Sequence, residues 1–97
     1  MTIAKVRVNL ESLMRLPRGD RIKLLRQLRR ISVRRLAAKV GVSATAIYDW
    51  EANKWNPNDE NLWRLSRVLQ VPVYVLASPP PPEQDDDEDD EEGVEFV

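Results

Sequence analysis

The side chains of this chain best suited to binding chemistry are its cations. The 97 residues include 15 Lys and Arg, and nine of these lie between Arg15 and Arg35, a stretch with a single acid, Asp20. Phosphate groups are natural partners for such a cluster, because a cation that meets a nucleic-acid phosphate releases a condensed counterion. The cluster predicts a surface that binds a polyanion. The alternative is a solvated helix face without a ligand.

Catalytic and metal chemistry are not expected. The chain has no cysteine and no histidine, which excludes disulfides, zinc-thiolate sites and the usual nucleophile–base pairs. Ser32 and Ser43 both precede helical patterns, where a hydroxyl is explained as a helix cap. We therefore expect no enzyme activity, no cofactor and no metal site.

The charges divide the chain into two unlike parts. All Lys and Arg residues precede Ser78, and this body carries a net charge of about +9. Residues 79–82 are four prolines, which predict a stiff extended connection. From Glu83 onward there are ten acids and no base, so we expect residues 78–97 to form a disordered tail. The tail could keep the body soluble, mask its basic face or bind a protein partner.

Nothing in the sequence predicts a membrane segment. The longest uncharged stretch, residues 68–82, contains five prolines and is too polar and broken to span a bilayer. The N-terminal residues lack the apolar run of a signal peptide. We therefore expect a cytoplasmic protein.

Helical periodicity and capping residues predict an all-α body. Apolar residues recur every three or four positions from Asp20 to Ile31, which predicts a helix over these residues. Residues 2–8 predict either a short strand or a mobile arm. Residues 71–76 predict one helical turn or an extended cover for the core. The other predicted helices span residues 9–16, 33–40, 44–51 and 58–69.

The most specific pattern lies between Val33 and Trp50. Two short helical patterns flank a turn at Gly41, where a left-handed residue would end the first helix. Ala37 is small where two helices would cross closely, and Ser43 can cap the second helix. This combination predicts a helix-turn-helix, in which the crossing is steep and the inner side apolar. The alternative is an ordinary helical hairpin with no role in DNA binding.

With these motifs the chain resembles the Cro/C1-type helix-turn-helix family, the phage-repressor or XRE group. The resemblance covers residues 19–76 and includes Gly19 to Ile22, Leu36-Ala37, Val40 to Ser43, Ile47 to Glu51, Asn56-Pro57 and Leu65 to Val71. It implies a five-helix, lambda-repressor-like domain at residues 19–77. An N-terminal arm and short helix would occupy residues 1–18, and the tail would follow. It also implies a recognition helix that begins at Ser43 and enters the major groove.

The resemblance also implies roles for individual residues. The positions that usually face base edges hold Ala44, Thr45, Tyr48 and Asp49. The positions expected at phosphates hold Ser43, Arg34, Lys54 and Asn56. Arg26 and Glu51 match a buried ion pair of the family.

Some positions depart from the family pattern. Val33 replaces a common glutamine, which removes one phosphate contact, and Asn53 replaces a glycine. The base-facing set contains no Arg, Gln or Asn, the side chains that bind bases in bidentate fashion.

Two functions follow as hypotheses. The first is a DNA-binding transcriptional regulator, a repressor that binds a palindromic operator as a homodimer. The second is a protein-interaction module that uses the same scaffold to bind RNA polymerase or a toxin, with the acidic tail as effector.

Overall fold

The computed structural model describes residues 9–82, and this part of the chain is all-α. Its six helices are α1 (Leu10–Arg15), α2 (Arg18–Leu28), α3 (Val33–Val40), α4 (Ala44–Glu51), α5 (Asp59–Leu69) and α6 (Val73–Ala77). Helices α2 to α6 are the five expected of the domain, so the predicted fold class is confirmed. The predicted strand or arm at residues 2–8 and the acidic residues from Glu83 onward lie outside the described residues.

Four helices begin at a capping side chain that the sequence indicates. Asn9, Ser32, Ser43 and Asn58 have extended backbones, and each side chain accepts a hydrogen bond from a backbone amide in the first helical turn. The best of these bonds at each cap are 2.8 to 3.1 Å long. Each cap satisfies an amide that has no partner within the helix, and this fixes where the helix starts.

Each of the helices α2 to α5 is followed, within two residues of its last residue, by a residue with left-handed backbone. These residues are Arg30, Gly41, Asn53 and Gln70, with φ of 58°, 90°, 63° and 61°. In each case the amide of the next residue donates to the carbonyl five positions earlier, at 2.9 to 3.1 Å. This is the Schellman arrangement, which normally favours glycine at the left-handed position. Three of the four helix ends therefore form without a glycine.

The bounds predicted for the long helix at Asp20 to Ile31 were wrong at both ends. Helix α2 begins at Arg18, directly after Pro17. It ends at Leu28, because the left-handed Arg30 turns the chain towards α3. Periodicity did not show this end, since Ile31 continues the apolar spacing although it lies outside the helix.

One apolar core joins all six helices. Ile22, Leu36, Ile47, Leu65 and Leu76 are fully buried, and they come from α2, α3, α4, α5 and α6 respectively. Leu13 of α1 joins the same core, so the short N-terminal helix packs on the domain.

A fully buried arginine connects the two ends of the described chain. Arg21 of α2 has no solvent exposure. Its guanidinium donates to the carbonyl oxygens of Leu16 at 2.9 Å, Met14 at 3.0 Å, Val75 at 3.0 Å and Ser78 at 2.7 Å. These carbonyls lie at the ends of α1 and α6, so Arg21 holds both helices against α2.

Arg21 has no carboxylate partner within residues 9–82. Burial lowers the pKa of its guanidinium, and the charge of Arg18 lowers it further. The C-termini of α1 and α6 are the negative ends of their helix dipoles, and this favours a cation such as Arg21 beside them. The four hydrogen bonds thus compensate a charge that would otherwise be costly to bury.

Candidate nucleic-acid interface

Helices α3 and α4 form the predicted helix-turn-helix. Gly41 ends α3 with a left-handed backbone, and the amides of Gly41 and Val42 both donate to the carbonyl of Ala37, at 2.8 and 3.0 Å. Ala37 is only 4% exposed, so a small side chain occupies the place where the two helices approach. Ser43 then starts α4 after a tight turn.

The outer face of α4 presents Thr45 and Tyr48. Ile47, Trp50 and Glu51 point inward and are buried, and the helical period places Thr45 and Tyr48 on the opposite side. Tyr48 is 59% exposed. Two residues predicted for the same face, Ala44 and Asp49, are half-buried at its edges.

Ala52 also lies on this face, although it was not among the predicted site residues. It is the last residue before the left-handed Asn53, and it is exposed one turn after Tyr48. The helical period predicts this position for Ala52 if it is continued from Glu51, the last residue of α4, to the C-cap. A methyl group there leaves room for the nucleic acid backbone or for a base to approach.

Asp49 lies next to Lys54, a residue predicted to contact phosphate. The Lys54 Nζ is 3.8 Å from Oδ1 of Asp49. The pair places a cation beside the one carboxylate on the outer face of α4. This reduces the repulsion that the carboxylate would exert on a phosphate.

The other residues predicted for phosphate contact are exposed. Arg34 lies in the first turn of α3, and Asn56 lies in the loop after α4. Ser43 is also exposed, although its Oγ accepts from the amide of Ala46 at 3.1 Å. Its hydroxyl hydrogen remains available to an external acceptor, because the cap uses only a lone pair of the oxygen.

Lys23 is a cation near this face that the site prediction did not include. A shallow cavity of about 470 Å³ is lined by Lys23, Val33, Tyr48 and other residues of α2 and α4. Lys23 is exposed at its edge. In the sequence, only the basic cluster of residues 15–35 pointed to Lys23 as a binding residue. The approach of Lys23 to Tyr48 depends on how α2 packs on α4, which the sequence does not show.

Arg26 and Glu51 form an ion pair that fixes α4 against α2. Arg26 Nε lies 2.6 Å from Oε2 of Glu51, and Nη2 lies 3.2 Å from Oε1. Arg26 also donates to the carbonyl of Ile31 at 3.0 Å. The side chains are only 13% and 7% exposed. The hydrogen bond to Glu51 is the main reason that the pKa of Arg26 is raised, despite partial burial.

The three tryptophans have different environments. Trp50 is 7% exposed and belongs to the core. Trp55 is 67% exposed in the loop after α4, and Trp63 is 52% exposed on α5. The guanidinium carbon of Arg67 lies 5.0 Å from the centre of the Trp63 ring, a cation–π contact.

Residues 9–82 show no centre for metal chemistry. No group of three or more His, Cys, Asp or Glu residues in this range could hold a metal ion. Within the same range, no helix is both long enough and apolar enough to cross a membrane.

Known proteins share this arrangement of helices. The family model described as helix-turn-helix matches residues 22–76. Repressor protein C2 of Salmonella phage P22 is 44% identical over 59 residues, which are 60% of this chain and 27% of that protein. The chain thus matches only about a quarter of the length of this relative.

Two solved structures also resemble the described domain. The P22 c2 repressor in complex with a synthetic operator has a TM-score of 0.61 and 40% identity, over 64% of this chain and 96% of that chain. SinR, in the SinR–SinI protein complex, has a TM-score of 0.59 and 36% identity, over 62% of this chain and 59% of that chain.

The family match covers more than half of the 97 residues and spans α3, the turn at Gly41 and α4. This chain therefore belongs to the Cro/C1-type helix-turn-helix family.

Proposed function

We propose that the chain is a DNA-binding transcriptional repressor that places α4 in the major groove of an operator. The observation that carries this proposal is the outer face of α4, where Thr45 and Tyr48 are exposed while Ile47 and Trp50 anchor the helix in the core. The P22 c2 repressor, whose solved structure contains a synthetic operator, supports the proposal through its similarity in sequence and fold. A repressor of this kind would act in the cytoplasm and would need no catalytic step.

The exposed side chains suit particular base edges. The methyl groups of Thr45 and Ala44 can contact thymine methyls, and the Thr45 hydroxyl can bind either a donor or an acceptor. Tyr48 offers a hydroxyl at the end of a long side chain. Asp49 can accept a hydrogen bond from a cytosine amine, with Lys54 compensating its charge.

Contacts to phosphate would set the position of α4 without selecting a sequence. Ser43, Arg34, Lys54 and Asn56 are the residues that we assign to this role, and Lys23 extends the cationic edge beside Tyr48. A homodimer on a palindromic operator would place two such helices about one helical turn of DNA apart.

A second candidate is a protein-interaction module. The base-facing set has none of the Arg, Gln or Asn side chains that give strong base discrimination. The structure of SinR in complex with SinI also shows a related domain in a protein that forms a protein complex. In this case RNA polymerase or a toxin would be the partner, and the acidic tail would act as effector.

The salt dependence of binding to random duplex DNA separates the two candidates. The slope depends on the cations that meet phosphates, and the three assigned here, Arg34, Lys54 and Lys23, would in two protomers give a log–log slope of about −5. We expect a slope of this steepness from a homodimer that binds in the groove. A slope near zero, or no binding at low salt, would contradict the DNA-binding proposal and favour the protein-interaction module.

A further inference from the structure

A basic notch lies on the domain between three of its segments. Its volume is about 510 Å³, within the range of pockets that hold ligands. It is lined by Arg29, Ile31, Lys39, Arg67, Val68 and Gln70. Three cations thus come from the end of α2, from α3 and from α5, and no carboxylate is among the lining residues.

The notch and the α4 face use different sides of α3. Val33 lines the cavity next to Tyr48, whereas Lys39 lines the notch. These two residues are six positions apart, which separates their directions by about 120° around the helix. A ligand in the notch would therefore leave the outer face of α4 open.

Two of the three cations of the notch are held in place by contacts within the domain. Arg29 donates to the carbonyl of Leu69 at 2.9 Å and to that of Gln70 at 3.4 Å. Arg67 lies over the ring of Trp63. Among residues 9–82, the ion-paired acids pair with other cations and not with Arg29, Lys39 or Arg67. The notch has positive charge that these residues do not neutralise.

The described chain leaves the domain within reach of this notch. The bond from Arg21 to the Ser78 carbonyl, 2.7 Å long, fixes the exit point beside the start of α2. Arg29 is eight residues further along, about 12 Å by the helical rise. An extended stretch of the six residues 79–84 would span about 19 Å. The acidic residues 85–92 follow directly in the sequence.

We propose that the acidic segment 85–92 of this chain binds the notch formed by Arg29, Lys39 and Arg67. The tether keeps the segment at a local concentration of about millimolar, so individually weak contacts suffice. Salt should screen these charges and weaken the contact. Binding there would direct the negative charge of the segment away from α4, so the proposal differs from a tail that competes with DNA. It does not depend on the DNA-binding function.

A spin label on the full chain tests this contact. The sequence has no cysteine, so Gly93→Cys gives a single site for a nitroxide just beyond the acidic segment. At low salt we expect the label to broaden the backbone amide signals of Lys39, Arg67 and Gln70. High salt should restore these signals. In mixtures of labelled and unlabelled copies, the unlabelled copies should keep sharp signals.

Paired charge variants of the labelled chain locate the contact. Lys39→Gln with Arg67→Gln should abolish the broadening, whereas Lys23→Gln with Arg34→Gln, a matched loss of two exposed cations that do not line the notch, should leave it intact. The amide spectrum of each variant shows directly whether the fold is preserved. Neutralising the segment by Asp→Asn at 85, 86 and 87 should weaken the broadening without touching the domain.

Three results would overturn the proposal. Broadening centred on Thr45 and Tyr48, and lost only in the Lys23 and Arg34 variant, would place the segment on the α4 face. Broadening of the unlabelled copies would mean that the segment binds a second molecule. Uniform or absent broadening at low salt would mean that the notch does not bind the segment.

Discussion

The backbone amide of Gly19 donates a hydrogen bond to Oδ1 of Asn53 at 2.8 Å, which joins the start of α2 to the end of α4. The Nδ2 of Asn53 in turn donates to Oδ1 of Asp20 at 2.7 Å. Pro17, the residue before α2, supplies no side-chain cap. Asn53 therefore ends one helix with its backbone and caps another with its side chain. A glycine at position 53 could do only the first.

Gly19 and Gly41 should respond differently to alanine. A Cβ on Gly19 would lie 2.0 Å from the carbonyl oxygen of Trp50, so α2 and α4 would have to separate. A Cβ on Gly41 would meet Nη1 of Arg64 at 3.7 Å, an ordinary contact, but the φ of 90° at this position is unfavourable for alanine. We expect Gly41→Ala to cost about 1–2 kcal/mol of unfolding free energy, and Gly19→Ala to cost clearly more. Urea unfolding of both variants measures the difference, and an equal or smaller loss for Gly19→Ala would contradict the close approach.

Arg30→Gly should stabilise the protein. Arg30 holds a φ of 58° at an exposed helix end, and glycine relieves about 1–2 kcal/mol of strain while losing roughly 0.5–1 kcal/mol to chain entropy. We expect a net gain of about 0.5–1 kcal/mol, seen as a higher Tm. The same substitution at Arg35, exposed within α3, should instead lower stability by about 1 kcal/mol. A fall in Tm for Arg30→Gly would be inconsistent with strain at this position.

Arg21→Lys should be nearly as harmful as Arg21→Met. A lysine keeps the charge, but its single ammonium cannot reach four carbonyls that lie around a planar guanidinium. Each variant leaves buried carbonyls without donors, at about 1–3 kcal/mol for each group. Thermal melts should show a large loss for both, against a change within about 0.5 kcal/mol for Lys23→Ala, its exposed neighbour on α2. Full stability in Arg21→Lys would mean that charge alone matters there.

Glu51→Gln should lower the unfolding free energy by roughly 3–5 kcal/mol, because it leaves Arg26 partly buried without its counter-charge. The total unfolding free energy of a native domain is about 5–15 kcal/mol, so the variant should melt far below the parent. Glu60→Gln breaks an exposed ion pair with Arg64 and should cost at most about 1 kcal/mol. If Glu51→Gln melts within a degree or two of the parent, the pair contributes little to stability.

The sequence predicted the features that depend on local pattern. The caps at Ser32 and Ser43 and the turn at Gly41 follow from residue type and helical spacing. The resemblance to a known family placed Arg26 opposite Glu51, a contact between residues 25 positions apart. Spacing alone would not have paired them.

The features that the sequence did not predict depend on packing or on unusual backbone. Arg21 looked like one cation of a basic cluster, and only the positions of α1 and α6 show that it is buried. Arg30 gave no sign of a left-handed helix end, because that position normally favours glycine. The notch at Lys39 and Arg67 joins residues 28 positions apart and has no sequence motif.

Selection of bound sequences from a random pool of duplex DNA is the most direct test of whether the outer face of α4 recognises DNA. We expect the parent to enrich a palindromic sequence, and Thr45→Ala and Tyr48→Phe each to change the preferred base at symmetric positions. Glu11→Gln, an exposed change on α1, should leave the preference unaltered. If the parent enriches no sequence, or if both α4 variants keep its preference, the account of α4 as a recognition helix is contradicted.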